Sequence, residues 1–137
     1  KKVKDSVQIP VIANGDIQSF EDVKTVLKIS GADGLMIGRG TYGRPWIFEE
    51  IECNFKNKIF KNKNIDFFKS IILEHFNLSL EHYGIDSGIR NFRKHLGWYS
   101  KSLKNSNSFR KHINTSLDYK TIEKSVNQFF IAENYHV

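Results

Sequence analysis

The sequence lacks several features that would place the protein in particular classes. Cys53 is the only cysteine among 137 residues, which excludes an internal disulfide framework and is compatible with a cytoplasmic location. No apolar run approaches the roughly 20 residues that span a bilayer, and the amino end shows no signal-peptide pattern. The remaining composition, with 39% hydrophobic and 26% charged residues, is typical of a globular protein.

Acidic residues are missing altogether between Ser87 and Leu117, and this absence is informative about partners. The window carries seven Lys and Arg residues, whereas the net charge of the whole chain is only +6. A helix predicted from after Asp86 to about Leu103 buries its apolar face and gathers most of these cations on the other face. Arg90, Lys94, Gly97, Lys101 and Lys104 form one stripe, with Arg93 and Trp98 beside it.

Two interpretations of this stripe are open. A run of cations is usually a solvated face, but like charges at these spacings repel each other unless an anion compensates. The stripe therefore favours nucleic-acid contact, with Gly97 admitting a phosphodiester backbone and Trp98 stacking on a base. The predicted RNA-contacting residues are Arg90, Arg93, Lys94, Trp98, Lys101 and Lys104. His95 and His112 lack a carboxylate or thiol at ligand spacing, so no metal site is predicted.

Residues 8–13 are predicted to be a buried parallel strand, and residues 34–37 are predicted to be the next strand. Between them, Ser19 is a good N-cap with Asp22 three positions later, and it opens a helix that closes before Gly31. Strand, helix and strand at this spacing form one parallel β/α unit. Another helix is predicted to start within residues 43–48, with Pro45 in its first turn.

Residues able to present backbone N–H groups follow both predicted strands. Residues 14–16 and residues 38–40 each fit an ordinary turn when taken alone. On neighbouring parallel strands they converge, and their amide dipoles together with the Arg39 guanidinium favour a phosphate group. Asp16 is expected to contribute its amide or a helix cap rather than its carboxylate. The candidate phosphate-binding residues are Asn14, Gly15, Asp16, Gly38 and Arg39.

This arrangement is typical of the last two strands of a barrel enzyme, but a complete barrel needs about 200 residues or more. The expected fold class is α/β plus all-α, with the last two β/α units of a TIM barrel followed by a small helical bundle. Residues 1–53 are predicted to be the barrel part, residues 54–64 an Asn- and Lys-rich linker, and residues 65–137 the helical domain. We therefore expect a piece of a longer protein, unless the barrel pattern is accidental.

Helical periodicity dominates the second half of the chain. Phe68, Ile72, Phe76 and Leu80 recur every fourth residue, and Gly84 ends this helix. After the basic helix, a short helix is predicted around residues 109–114. A last one is predicted over residues 118–130, with inward positions Tyr119, Ile122, Val126 and Phe129.

Four segments together resemble the carboxyl-terminal portion of bacterial tRNA-dihydrouridine synthases, most closely the B-type branch. They are residues 9–17, 31–40, 43–48 and 93–99, in the order in which that family has them. The first two segments also occur in other flavin barrels. The Arg93-Lys94-His95 and Trp98-Tyr99 pattern is far more specific.

The resemblance implies an FMN enzyme that uses NADPH to reduce the C5–C6 double bond of selected uridines in tRNA. It implies that Asn14, Gly15, Asp16, Gly38 and Arg39 hold the flavin phosphate and that the helical domain binds tRNA. A cysteine of the family protonates uracil C5, but Cys53 does not match it, so no catalytic residue is assigned within this chain. Alone, the chain is expected to be inactive.

Two other hypotheses remain open from the sequence. The chain is either a non-enzymatic RNA-binding remnant of such an enzyme or a piece of another FMN barrel that acts on small molecules. The acid-free basic window argues against the small-molecule enzyme.

Overall fold

The computed structural model describes residues 1–60 and 64–131. Its contacts divide the chain into two compact parts, residues 1–60 (unit 1) and residues 61–137 (unit 2). This division falls within the predicted linker, residues 54–64, of which residues 61–63 lie outside the described residues. The linker itself remains a prediction.

Unit 1 contains a small parallel sheet and short helices. Its elements are α1 (Lys2–Ser6), β1 (Ile12–Asn14), α2 (Phe20–Ser30), β2 (Gly34–Met36), a 3₁₀ turn (Arg39–Thr41) and α3 (Ile47–Phe55). Strands β1 and β2 pair in parallel, with Ala13 opposite Leu35. The order of strand, helix and parallel strand predicted from the sequence is therefore confirmed.

Helix α2 begins and ends where its capping residues predict. The Ser19 hydroxyl oxygen accepts a hydrogen bond from the Asp22 N–H at 3.1 Å, and its own proton goes to the Asp22 carboxylate at 2.8 Å. The Ser19 oxygen thus satisfies the Asp22 N–H, one of the donors that the first helical turn leaves free. At the other end Gly31 adopts φ +66°, and its N–H donates to the Leu27 carbonyl at 2.9 Å.

The prediction of a buried strand over residues 8–13 is wrong for β1, both in length and in burial. The strand begins at Ile12 rather than at residue 8, because Pro10 has no N–H and the Val11 N–H donates to the Asp33 carboxylate at 2.7 Å. Ile12 is 60% exposed, since the sheet has only two strands among the described residues. Strand β2 ends at Met36 rather than Ile37.

The first turn of α3 also differs from the prediction. The helix begins at Ile47, and Pro45 lies in the turn that precedes it. Trp46 and Ile47 are buried, and Arg44 donates to the Glu50 carboxylate and, at 3.2 Å, to the Gln18 carbonyl.

Unit 2 is all-helical in its described residues. It comprises α4 (Ile65–Tyr83), α5 (Ile85–Tyr99), α6 (Ser106–Thr115) and α7 (Tyr119–Phe129). Its largest fully buried side chains are Phe76, Phe92 and Phe130, and the first two stack with ring centroids 4.9 Å apart. No helix in the described ranges is both long and apolar enough to cross a membrane.

The antiparallel contact of α4 and α5 depends on a glycine at each of two positions. Gly84 turns the chain with φ +77°, a backbone conformation that favours glycine. Gly88 lies so close to α4 that an added Cβ would be 2.8 Å from both the Leu80 Cα and the Ser79 carbonyl oxygen. The two helices therefore approach each other more closely than a larger residue would permit.

Most of the predicted inward positions of unit 2 are buried. Phe68, Ile72 and Phe76 are buried in α4, whereas Leu80 is half-buried and Ser79 takes the buried position. In α7, Ile122 and Val126 are buried, while Tyr119 and Phe129 are half-buried.

The predicted extent of the basic helix is wrong at its carboxyl end. Helix α5 ends at Tyr99 rather than near Leu103, and Ser100 is its C-cap. Ser102 and Asn105 adopt φ +68° and +62°, which no right-handed helix can accommodate. Lys101 and Lys104 consequently lie in the connection to α6 and not on a continuous helical stripe.

Candidate functional site

The structure brings the five predicted phosphate-binding residues of unit 1 together. They line one open cavity of about 190 Å³ at the carboxyl ends of β1 and β2. Residues 14–18 contribute one side of this cavity, and residues 38–40, with Met36, contribute the other. We call these two segments the phosphate loops. Because the strands are parallel, both loops emerge at the same edge of the sheet.

Backbone conformation explains one glycine of these loops, and close contact between the loops explains another. Gly15 has φ +135°, which residues with a side chain rarely adopt. At Gly40, an added Cβ would lie 2.1 Å from the Ile17 carbonyl oxygen, so only glycine fits against the first loop. Gly40 was not among the predicted site residues, and its role is to let the loops approach.

Backbone donors of the second loop face no acceptor within their own turn. Gly38 is the N-cap of the 3₁₀ turn, whose first internal bond runs from the Thr41 N–H to the Gly38 carbonyl at 3.0 Å. The N–H groups of Arg39 and Gly40 precede that bond and therefore have no partner inside the turn.

The Asp16 carboxylate is ion-paired with the Arg39 guanidinium across the two loops. The side chains of Asp16 and Arg39 are 74% and 75% exposed, so the pair contributes little to stability and can open toward a ligand. The expectation that Asp16 uses its amide or caps a helix therefore misses this pair. Ser19 caps α2, because Asp16 lies too far upstream and adopts φ +45°.

Cys53 does not line this cavity. It lies in α3, is half-buried and forms no disulfide. Within the described residues, no group of three or more His, Cys, Asp or Glu side chains is arranged to hold a metal ion.

The cations of α5 lie on the surface of unit 2. Arg90 and Lys94 are exposed and one helical turn apart. Ile89, Phe92, Leu96 and Tyr99 are buried on the opposite face, as the sequence predicts. In the part of the chain that the structure describes, neither Arg90 nor Lys94 forms an ion pair.

The side chain of Arg110, on α6, lies over Gly97. An added Cβ at Gly97 would be 3.8 Å from the Arg110 Cδ, which is ordinary contact. Gly97 therefore faces the aliphatic part of the Arg110 side chain, and its contact with a phosphodiester backbone stays a prediction. Arg110 was missed as a site residue although it belongs to the acid-free window. We define the basic surface as Arg90, Lys94, Lys101, Lys104 and Arg110.

Arg93 and Trp98 differ from Arg90, Lys94, Lys101 and Lys104, whose side chains are exposed. The Arg93 guanidinium donates to the Ser116 carbonyl and so joins α5 to the segment before α7. Arg93 is half-buried, and its Nε is buried without a hydrogen-bond partner among the described residues. Trp98 is also half-buried and meets the His95 ring edge-on at 4.9 Å. Both residues therefore have packing roles within unit 2.

Two histidines of unit 2, His75 and His95, are uncharged near neutral pH. Burial lowers the pKa of His95 to about 4, and the neighbouring His75 and Lys94 add to this shift. Burial also lowers the pKa of His75, whose Nδ1 is 3.0 Å from the Tyr99 hydroxyl oxygen. The same cause raises the pKa of Tyr99 to about 12.

Comparison with known protein families gives a match over nearly the whole chain. The model described as dihydrouridine synthase (Dus) matches residues 1–134. The chain therefore belongs to the dihydrouridine synthase family.

Individual relatives agree with this assignment. A probable tRNA-dihydrouridine synthase of Rickettsia conorii is 42% identical over 133 residues, which cover 96% of this chain and 40% of the relative. A tRNA-dihydrouridine synthase B of Vibrio vulnificus is 49% identical over 115 residues, covering 83% of this chain and 36% of the relative. The predicted resemblance to the carboxyl-terminal portion of bacterial B-type enzymes is thereby confirmed. The chain spans about two fifths of the length of these relatives.

Proposed function

We propose that this chain is the part of a tRNA-dihydrouridine synthase that binds tRNA and the phosphate end of FMN. The whole enzyme would be a flavin-dependent oxidoreductase that reduces the C5–C6 bond of uridine in tRNA with NADPH, in the cytoplasm. Family membership supports the reaction class, since the model matches residues 1–134. The division of labour between the two units is supported by their different surfaces.

The basic surface is the observation that carries the tRNA assignment. Its five cations come from two helices and the turn between them, in a window without any acidic residue. Such a surface neutralises phosphates and releases their counterions, which favours nucleic-acid binding. Arg93 and Trp98, two of the predicted RNA contacts, support this surface mainly by fixing α5 in place.

The phosphate loops support FMN binding at its phosphate end. Their cavity of about 190 Å³ is smaller than a typical site for a whole cofactor, but it is lined by glycine backbone and one arginine. Asn14, Gly15, Asp16, Gly38 and Arg39 would hold the phosphate, with Arg39 exchanging its Asp16 partner for the anion. The bound flavin would supply the hydride for uracil reduction.

This chain is proposed to be inactive alone. Among the described residues, none is assigned as the acid that protonates uracil C5. Cys53 does not line the cavity formed by the phosphate loops. In unit 1, Ile9, Ile12 and Met36 are 68%, 60% and 53% exposed. A parallel sheet is normally covered on both faces. We propose that the missing partner of this sheet is the remaining barrel segment.

Charge reversal tests the tRNA assignment. The double variant Arg90→Glu with Lys94→Glu should bind tRNA at least about tenfold more weakly at moderate salt, because two phosphate contacts become repulsive. Lys120→Glu with Lys124→Glu is the matched control, since these exposed lysines on α7 have the same spacing and change the net charge equally. If both variants lost tRNA affinity equally, the loss would be due to net charge alone. This result would overturn the assignment.

Titration with FMN and with inorganic phosphate tests the loops. We expect both ligands to shift the backbone amide resonances of Gly15 and Gly38, and Arg39→Ala to weaken binding about tenfold. Lys28→Ala, a cation on α2 outside the cavity, should leave the titration unchanged. Identical binding by the Arg39 variant would contradict the proposed role of this side chain.

A catalytically inactive RNA-binding remnant is the second candidate, because unit 2 has its own core and the basic surface. The intact mass of the protein in its source cells separates the two. A mass near 15.9 kDa would favour the remnant, and a mass more than twice that value would favour the flavoenzyme.

A further inference from the structure

A groove between α4 and α5 lies next to the basic surface and was not predicted. It has a volume of about 280 Å³ and lies wholly within unit 2. Helix α4 contributes Leu78, His82 and Tyr83 to its lining, and α5 contributes Asn91, Lys94 and His95. Lys94 belongs both to this groove and to the basic surface. The lining includes no acidic side chain.

Polar side chains in this groove have unused hydrogen-bonding capacity. In the described part of the chain, the side chains of His82, Asn91 and His95 form no hydrogen bond. By contrast, two other polar residues of the same helices are engaged. The Ser79 hydroxyl donates to the Gly88 carbonyl at 3.3 Å, and His75 contacts the Tyr99 hydroxyl. The free amide of Asn91 offers both a donor and an acceptor.

Aromatic rings surround these polar groups. The His82 and Tyr83 rings meet edge-on at 4.5 Å, and the Tyr83 side chain is 54% exposed. The His95 ring lies between the rings of His75 and Trp98, at 4.6 and 4.9 Å. Because burial keeps His95 neutral, its ring offers one N–H donor and one bare nitrogen rather than a second cation beside Lys94.

We propose that the α4–α5 groove receives an unpaired nucleobase of the bound tRNA. Asn91 and His82 pair with the polar edge of the base, the Tyr83 ring packs against its face, and Lys94 holds the adjoining phosphate. This inference rests on the proposed tRNA-binding function and names the part of the RNA that unit 2 recognises.

The lining favours a nucleotide over other anions. A phosphate alone would be satisfied by Lys94 and would leave the aromatic and amide groups of the groove unused. An acidic peptide would meet only one cation in the groove. Single-stranded nucleotides are instead recognised by aromatic stacking together with hydrogen bonds to the base edge.

Binding of two RNAs by variants of the full 137-residue chain tests the proposal. Asn91→Ala and Tyr83→Ala should each weaken binding of tRNA about fivefold or more, because each removes a contact to the base. Neither should weaken binding of a fully paired RNA duplex. Asn77→Ala is the control, since Asn77 is exposed on α4 outside the groove. Circular dichroism of each variant verifies the fold.

Titration with nucleotides provides a readout that does not depend on the variants folding. Uridine and adenosine monophosphates should shift the side-chain resonances of His82 and His95, whereas inorganic phosphate should leave them in place. Shifts caused equally by inorganic phosphate would show an anion site and overturn base recognition. Absent shifts, together with full tRNA affinity of Asn91→Ala, would also overturn it.

These experiments distinguish a failure of the groove inference from a failure of the proposed tRNA binding. If Asn91→Ala binds tRNA normally while Arg90→Glu with Lys94→Glu does not, the groove inference is wrong and the proposed function stands. If the charge reversal has no effect but mononucleotides still shift the histidine resonances, the tRNA assignment is wrong instead.

Discussion

The two units of this chain bury their apolar residues to very different degrees. In unit 2, Phe76, Phe92 and Phe130 are at most 1% exposed, and each of the four described helices contributes buried apolar residues. In unit 1, the strand residues Ile12 and Met36 are 60% and 53% exposed. A helical bundle can close on itself, whereas two parallel strands cannot cover their own faces.

This difference indicates what each unit needs in order to function. Unit 2 positions its basic surface and groove on a core that it contains entirely. Unit 1 positions its phosphate loops on a sheet with exposed faces and edges, to which a further segment can bind. An exposed edge of this kind is also a site of aggregation. The phosphate loops are therefore carried by a sheet with exposed strand residues, whereas the basic surface is carried by helices with a buried core.

Hydrogen exchange should show the largest contrast between the units. We expect the backbone amides of Phe92 and Leu96 in α5 to exchange about 1000-fold more slowly, after correction for intrinsic rates, than that of Ala13 in β1. The physical reason is that α5 opens only when the core of unit 2 unfolds. Equal protection in both units would mean that the sheet of unit 1 is stable without further strands.

Two glycines of α5 should respond in opposite directions to alanine. Gly88→Ala should lower the free energy of unfolding of unit 2 by about 1–3 kcal/mol, because its Cβ would press on α4. Gly97→Ala should raise it by up to about 1 kcal/mol, since alanine favours a helix and meets only the Arg110 Cδ at 3.8 Å.

Urea unfolding followed by the helical signal measures both values. A neutral Gly88→Ala would show that the α4–α5 contact is looser than described. A strongly destabilising Gly97→Ala would show that Gly97 is needed for close packing after all.

Mild acid should weaken unit 2 through His95. Because the folded-state pKa is depressed to about 4, below the ordinary value of 6.5, the unfolded chain binds more protons between these values. Stability is therefore fully present above pH 6.5 and falls as the pH drops toward 4.

His95→Gln should flatten this dependence, as measured by urea unfolding at pH 7 and pH 5. His112→Gln is the control, since His112 is exposed on α6. An unchanged slope in the His95 variant would assign the acid sensitivity to other groups.

Local signals predicted some of these features, and distant contacts determined the others. Ser19 and Gly31 delimit α2 because a cap acts within a few residues. The end of α5 was mispredicted because Ser102 and Asn105, rather than a glycine, take positive φ. The groove joins His82 to Asn91 across two helices, and the place of Arg110 over Gly97 depends on how α6 packs, so neither follows from periodicity.

The salt dependence of tRNA affinity tests the role of the basic surface most directly. With five cations at the interface, the logarithm of the association constant should fall against the logarithm of salt concentration with a slope of about −4. Arg90→Glu with Lys94→Glu should reduce the magnitude of this slope by about 2, and the Lys120 and Lys124 control should leave it unchanged. Equal slopes in all three proteins would contradict the assignment of tRNA binding to α5.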